Sequence, residues 1–320
     1  MRRFLALLAA ALATAGCATR PSHPEAFSFA VIGDAPYNAR EELEFDAMLG
    51  RLGAEPLAFV VHVGDFKAGG GAPCTDALYA DRKARLDASR HALVLTPGDN
   101  DWTDCRRESN GAMDPLERLA RLREVFFADG WSLGRARLPL ARQEACAERE
   151  GIACACPGLP ENRLWTKNRV VFATIHVVGG NDNRGFDAAS DAEQRCRAAA
   201  NRAWLADAIR LAESAGMRGL VVVAQANPWE ASRDKVYDGL LAQLAAGARR
   251  VAKPLLFVHG HTHTYRFDRP FRDAQGAAVG NARRLESFGS PVVGWVRVTV
   301  DPADESLFRV EPHPGDAAGG

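Results

Sequence analysis

Four apolar runs of this 320-residue chain end in glycine followed by residues that bind metals or carry protons. One run, Leu255 to His259, leads into Gly260-His261-Thr262-His263. The other three lead into Gly33-Asp34, Gly64-Asp65 and Gly98-Asp99-Asn100-Asp101. Glycine lets the backbone turn sharply, and parallel strands bind ligands at their carboxyl ends. The sequence therefore predicts a metal centre where carboxylates and imidazoles meet at one edge of a sheet.

Such a set of donors has a specific chemistry. Carboxylates and imidazoles together hold two divalent ions about 3.5–4 Å apart, with one carboxylate shared between them. The pair of ions lowers the pKa of a bound water and neutralises the oxygens of a phosphoryl group. This chemistry needs several hard donors, two imidazoles and open coordination positions, all of which the pattern supplies.

Strand-like and helix-like runs alternate from residue 27 onward and would position these ends. The predicted strands are 27–33, 57–63, 91–96, 170–178, 219–224 and 255–260. The predicted helices are 40–53, 75–89, 114–127, 188–214 and 229–247. This alternation indicates α/β layering with a mainly parallel sheet. Residues 291–300 alternate and pair with 307–310, which predicts an antiparallel hairpin that closes a second sheet.

Other polar residues have structural interpretations. His62, His176 and His259 lie inside apolar runs and are predicted to be packed, hydrogen-bonded core histidines. The stretch 179–183, Gly-Gly-Asn-Asp-Asn, is predicted to be an ordinary polar loop.

The cysteines point to an oxidising compartment. Six follow residue 17, and they are Cys74, Cys105, Cys146, Cys154, Cys156 and Cys196. An even number in an exported chain predicts three disulfides, whose pairing the sequence leaves open. We expect Cys74 to pair with Cys105, because each follows a strand-end motif and those ends should be neighbours. The region 104–168 holds four cysteines and is predicted to be an insertion lying over the site.

The N-terminus resembles an export signal. A basic start is followed by an apolar run over 4–13 and then by Thr14-Ala15-Gly16-Cys17, which is similar to a bacterial lipobox. We predict a signal peptide over 1–17, a lipid on Cys17, a linker over 18–26, and a location in the bacterial periplasm or cell envelope. An ordinary cleaved signal peptide is the alternative.

The overall charge gives no indication of a nucleic-acid partner. Lys and Arg together number 40, as do Asp and Glu, so the formal net charge is zero. Nothing in this balance favours a polyanion such as nucleic acid. The sequence does not indicate an oligomeric state.

In order and spacing, the four glycine motifs resemble those of calcineurin-like metallophosphoesterases, a family that includes the purple acid phosphatases. The resemblance runs from about residue 27 to residue 266, and Trp204-Leu205 also fits the family's helix before its fourth motif. It implies a layered α/β/β/α sandwich of two mixed sheets flanked by helices, with a Cys-rich insertion. The domain would cover 27–313, followed by a flexible tail over 314–320.

The resemblance also implies ligands for two ions. The first ligand set is Asp34, Asp65 and His263. The second ligand set is, in chain order, Asp65, Asp99 or Asn100, Gln225 or Asn227, and His261. Asp65 would bridge. Because oxygen donors dominate, Mn²⁺ or Mg²⁺ is favoured, with iron or zinc as alternatives.

The implied reaction is hydrolysis of a small phosphate mono- or diester by a metal-bound hydroxide. Lys67 would add positive charge, and either Asp101 or a metal-bound water would protonate the leaving group. Histidines of the family are replaced here by Pro36, by Asn100 at the catalytic position, and by Gln225 at a strand end. These replacements leave a second hypothesis open, a catalytically impaired binding or interaction protein of the cell envelope.

Overall fold

Two mixed β-sheets lie face to face in the computed structural model, which describes residues 23–146, 156–232 and 235–315. The strands are β1 Phe27–Ile32, β2 Val60–His62, β3 Leu93–Leu95, β4 Ala141–Arg142, β5 Arg163–Lys167, β6 Val170–Thr174, β7 Gly219–Val223, β8 Leu255–His259, β9 Arg266–Asp268, β10 Ala282–Glu286, β11 Trp295–Val300 and β12 Phe308–His313. The helices are α1 Ala39–Leu52, α2 Asp76–Asp87, α3 Pro115–Phe126, α4 Gly179–Asp182, α5 Ala188–Glu213 and α6 Asp238–Val251.

The strand order places parallel strands at the centre of each sheet. The first sheet runs β12-β11-β1-β2-β3, and β1, β2 and β3 are parallel. The second sheet runs β4-β5-β6-β7-β8-β10-β9, and its parallel strands are β6, β7, β8 and β10. Antiparallel strands complete both sheets, so the predicted sandwich of two mixed sheets is confirmed.

Alternation along the strands explains the layers. In β1, Phe29 and Val31 belong to the apolar cluster between the two sheets, whereas Ala30 and Ile32 belong to the cluster under the helices of the first sheet. Successive side chains of a strand point to opposite faces, so one strand contributes to two cores. The ring of Phe172 meets Phe29 edge-on, with centroids 5.5 Å apart.

The helices cover the outer faces. Asn38 caps α1 by accepting from the backbone N–H of Glu41, and Asp187 caps α5 in the same way from Ser190. Helices α5 and α6 pack on the second sheet through an apolar cluster that includes Ile209. No helix of the described residues is both long enough and apolar enough to cross a membrane.

Two sequence predictions differ from the structure. The hairpin of β11 and β12 forms, but β11 pairs with β1, so the hairpin completes the first sheet. Alternation indicates which side chains share a face and does not indicate which strand lies alongside. The helix predicted over 229–247 begins only at Asp238. At residue 229 the chain is in a turn, in which Asn227 accepts from the backbone N–H of Trp229.

The insertion packs against the first sheet and adds strands to the second. Helix α3 places Leu119, Leu122 and Phe126 in the core under the first sheet, and strands β4 and β5 extend the edge of the second. Residues 147–155 lie outside the described residues, as do the predicted signal peptide and most of the predicted tail.

The described residues contain two disulfides. Cys74 is bonded to Cys105, as predicted, and Cys156 is bonded to Cys196. Cys146 is also disulfide-bonded, and Cys154 lies outside the described residues.

Replacing Cys74 and Cys105 together by alanine releases a cross-link between residues 31 positions apart. We expect the free energy of unfolding to fall by about 3.5 kcal/mol, because the unfolded chain gains loop entropy. Urea denaturation without reductant measures it. The matched control is Cys156→Ala with Cys196→Ala, which removes a cross-link of separation 40 and should cost a similar amount. A loss below about 1 kcal/mol in the first pair would contradict the entropic account.

Candidate functional site

The predicted ligands lie together in turns that follow β1, β2, β3 and β8. Asp34, Asp65 and Asp99 are buried, while the side chains of His261 and His263 are 18% and 29% exposed. Four of these five residues have a positive φ, between 51° for Asp34 and 74° for His261. Strained backbone of this kind persists where the surrounding structure holds it and clusters at functional sites.

The glycines of the motifs are required by close contacts. A Cβ on Gly98 would lie 2.0 Å from Oδ1 of Asp65, and one on Gly260 would lie 2.0 Å from Oδ2 of Asp34. Each carboxylate therefore rests against the backbone of another motif. This explains why Gly precedes the polar residue in these turns.

The first ligand set has free acceptor capacity. Oδ1 of Asp34 accepts from the backbone N–H of His261, but its buried Oδ2 has no hydrogen-bond partner in the structure. Nδ1 of His263 lies 2.8 Å from the carbonyl oxygen of Ser290 and donates to it, because a carbonyl oxygen can only accept. That Nε2 lies 3.7 Å from Oδ1 of Asp34.

Tyr37 joins this set, although the sequence analysis gave it no role. Its hydroxyl lies 3.5 Å from Oδ2 of Asp65 and 3.2 Å from Nε2 of His263, and it accepts from Nδ2 of Asn100 at 2.9 Å. Burial raises the pKa of Tyr37, and the neighbouring carboxylate of Asp65 raises it further. Its only sequence signal was its place three residues after Asp34.

The second ligand set is more compact. Asp65, Asp99 and His261 offer three ligand atoms that all lie within 4.8 Å of one another. Nδ1 of His261 lies 3.2 Å from Oδ1 of Asp99, and its Nε2 lies 3.0 Å from Oε2 of Glu230. Gln225 contacts all three residues of the set.

The residues predicted as alternative ligands make different contacts. Oδ1 of Asp99 accepts from Gln225 and faces Nδ1 of His261, whereas the amide of Asn100 donates to Tyr37 and to the carbonyl oxygen of Lys67. The amide of Asn227 donates to Thr262, and its oxygen accepts from the backbone N–H of Trp229. The binding of an ion by Asn100 or Asn227 stays a prediction.

Lys67 and Asp101 make hydrogen bonds within the turns of the site. The buried ammonium of Lys67 donates to the carbonyl oxygens of Ala68 and Asn100. The carboxylate of Asp101 accepts the backbone N–H groups of Asp65, Phe66 and Gly98 at 2.8–2.9 Å. Both side chains hold the turns in place, and their roles toward a substrate stay predictions.

The pKa values reflect a shortage of positive charge. Burial raises the pKa of Asp34 and Asp65 well above the usual range, and the carboxylate of Asp99 adds to both shifts. Burial also raises the pKa of Asp101 to about 7. Burial acts on Asp99 in the same direction, but its contacts with His261 outweigh it and lower the pKa of Asp99. Those contacts raise the pKa of His261 to about 9 despite its burial.

The segment 179–183, which contains the short α4, is part of the site and is not an ordinary polar loop. A Cβ on Gly179 would lie 1.9 Å from Cε1 of His261, and one on Gly180 would lie 3.3 Å from Oδ2 of Asp99. Gly180, Asn181 and Asp182 all have positive φ values. The paired glycines were the available signal, because both allow a close approach of the backbone.

Comparisons with solved structures find similar folds at low identity. A dimetal phosphatase from Danio rerio shares 12% identity at a TM-score of 0.47, covering 91% of this chain and 99% of that one. A single mutant of Vps29 from Entamoeba histolytica shares 12% at a TM-score of 0.31, covering 90% and 98%. Vacuolar Protein Sorting 29 from Cryptosporidium parvum shares 12% at a TM-score of 0.30, covering 90% and 97%.

No protein-family model matches this sequence, and a search of curated proteins also finds no match. At 12% identity and TM-scores below 0.5, the solved structures assign neither an activity nor a substrate to this chain.

The contact between Gly179 and His261 can be tested by adding one methyl group. We expect Gly179→Ala to displace the His261 ring and to lower the free energy of unfolding by about 1–3 kcal/mol, as overpacking does. Urea denaturation and the imidazole NMR signals of His261 measure the two effects. Gly239→Ala is the matched control, because a Cβ there meets no atom within 4 Å. A variant as stable as the wild type, with an unmoved His261, would contradict this geometry.

Proposed function

We propose that this chain is a metal-dependent phosphoesterase that hydrolyses a phosphate mono- or diester. The observation that carries the proposal is the unpartnered, fully buried Oδ2 of Asp34, whose carboxylate lies 3.7 Å from Nε2 of His263. Isolated buried carboxylates are costly unless a positive charge compensates them. A divalent cation supplies that charge, and the ordered motifs that resemble metallophosphoesterases converge at the same place.

The donor types of the first ligand set fit a cation. Asp34 and Asp65 provide oxygens and His263 provides a nitrogen, which is a combination suited to Mn²⁺ or Mg²⁺. Ligating histidines usually donate their other ring N–H to a carbonyl or carboxylate, as His263 donates to Ser290. Asp34, Asp65 and His263 would therefore hold the ion.

A bound divalent ion polarises a phosphoryl oxygen and makes an attacking water more acidic. The chain's own residues would orient the substrate beside it. Because the pKa of Tyr37 is raised, its hydroxyl keeps its proton and can donate a hydrogen bond. Asn100 holds that hydroxyl in place by donating to it at 2.9 Å.

His261 is the proton carrier that the geometry supports best. Despite its burial, contacts with Asp99 raise the pKa of His261 to about 9. Its Nε2 lies 3.0 Å from the half-exposed Glu230, and a group at this partly exposed position can deliver a proton to a leaving group. This role is proposed beside the one predicted for Asp101, whose carboxylate accepts three backbone N–H groups.

An envelope location is part of the proposal. Disulfides persist in oxidising compartments, and the described residues contain two of them. The lipid on Cys17 stays a prediction, because that residue lies outside the described residues.

Hydrolysis of an aryl phosphate monoester and of an aryl phosphate diester tests the function. We expect turnover with added Mn²⁺, loss of turnover after EDTA, and recovery on addition of Mn²⁺. Asp65→Asn removes a charged ligand and should lower kcat/KM by roughly 100-fold or more. Asp46→Asn on the exposed face of α1 is the matched control and should leave kcat/KM unchanged.

The outcomes separate the two functional hypotheses. Undiminished turnover in Asp65→Asn, or turnover that EDTA does not affect, would refute a metal-dependent reaction at this site. Wild-type protein that binds Mn²⁺ but hydrolyses neither ester would instead support the binding or interaction protein.

A further inference from the structure

We infer that this site takes one divalent cation, in the first ligand set, and that the side-chain amide of Gln225 stands in for a second cation. The inference deepens the proposed function and rests on it for the presence of a metal. It concerns how many ions the chain holds and which residues hold them.

The amide nitrogen of Gln225 uses the acceptors that a second ion would need. Nε2 donates to Oδ2 of Asp65 and to Oδ1 of Asp99, at 2.8 Å in both cases. It also lies 3.1 Å from Nδ1 of His261. These three residues form the compact second ligand set. The close spacing of these three residues is therefore explained by their contacts with Gln225.

The orientation of this amide is determined by the backbone. Oε1 of Gln225 accepts the N–H of Gly179 at 2.7 Å. A reversed amide would bring an NH₂ group against that N–H, so two donors would face each other. Gln225 is fully buried, and a buried donor left without an acceptor is unfavourable. The carbonyl oxygen is thus used by Gly179 and is turned away from Asp65 and Asp99.

His261 is also occupied on both sides. Its Nδ1 contacts Asp99 and its Nε2 contacts Glu230. His263 differs in its partners, because Nδ1 donates to the carbonyl oxygen of Ser290 and Nε2 lies 3.2 Å from the hydroxyl of Tyr37. At hydrogen-bond distance, the ring nitrogens of His261 therefore face two carboxylates, whereas those of His263 face two neutral oxygen atoms.

The same contrast holds for the carboxylates. Oδ1 of Asp99 receives the Gln225 amide and faces His261, whereas Oδ2 of Asp34 is buried without a hydrogen-bond partner. In the first ligand set, the hydroxyl of Tyr37 contacts both Asp65 and His263. The carboxylate oxygen that lacks a hydrogen-bond partner thus belongs to Asp34, whereas the Gln225 amide donates to both carboxylates of the second ligand set.

The number of ions is measured by equilibrium dialysis of the folded, full chain against Mn²⁺, followed by elemental analysis. We expect one Mn²⁺ per wild-type chain and an isolated six-line electron paramagnetic resonance spectrum. Gln225→Glu keeps the acceptor for Gly179 and replaces only the NH₂ group by an oxygen. It should bind two Mn²⁺ ions, which broaden the spectrum by coupling. Gln243→Glu on α6 is the matched control and should bind one.

Two further variants locate the single ion. Asp34→Asn should weaken Mn²⁺ binding by roughly 100-fold, whereas Asp99→Asn should retain one ion. Circular dichroism checks that each variant is folded. Should Gln225→Glu not fold, the wild-type count together with Asp34→Asn and Asp99→Asn still decides the question.

Two Mn²⁺ ions in the wild type would overturn the inference, as would loss of the ion in Asp99→Asn with retention in Asp34→Asn. Two ions with metal-dependent hydrolysis would leave the proposed function standing. One ion lost only in Asp34→Asn, without hydrolysis of any ester, would support the inference and refute the function.

Discussion

Three buried carboxylates repel one another in the site. This repulsion is the physical constraint that the surrounding residues must offset. Asp34, Asp65 and Asp99 are brought together at the ends of three parallel strands of the first sheet. Burial raises the pKa of Asp34 and Asp65, because it removes the water that would screen their charges. The charge of Asp99 raises both pKa values further. The hydrogen-bond donors that surround them serve to offset this charge.

The turns that carry these carboxylates are held by a second group of polar side chains. Asp101 accepts three backbone N–H groups from the turns after β2 and β3, and Lys67 donates to two carbonyl oxygens nearby. Backbone with positive φ at Asp34 and Asp65 is maintained by such contacts. A charged residue next to a motif can therefore stabilise the backbone of the turn that carries the motif.

The fold was largely predictable, because periodicity and turn residues act locally. The runs that became β1, β8 and α5 were found close to their observed bounds, and the Cys74–Cys105 disulfide followed from the expected neighbourhood of strand ends. The partner of the final hairpin and the late start of α6 at Asp238 were not found. Both depend on contacts with distant parts of the chain, which periodicity does not encode.

The sequence by itself determined which donor atoms meet, since glycine followed by Asp or His at strand ends requires a sharp turn at a shared edge. Only the tertiary structure decided what those atoms do. Tyr37 enters the site through a turn, Gly179 allows His261 to pack against the backbone, and the N–H of Gly179 sets the direction of the Gln225 amide. The two ends of an amide differ by one atom, and that difference is settled by a hydrogen bond between residues 46 positions apart.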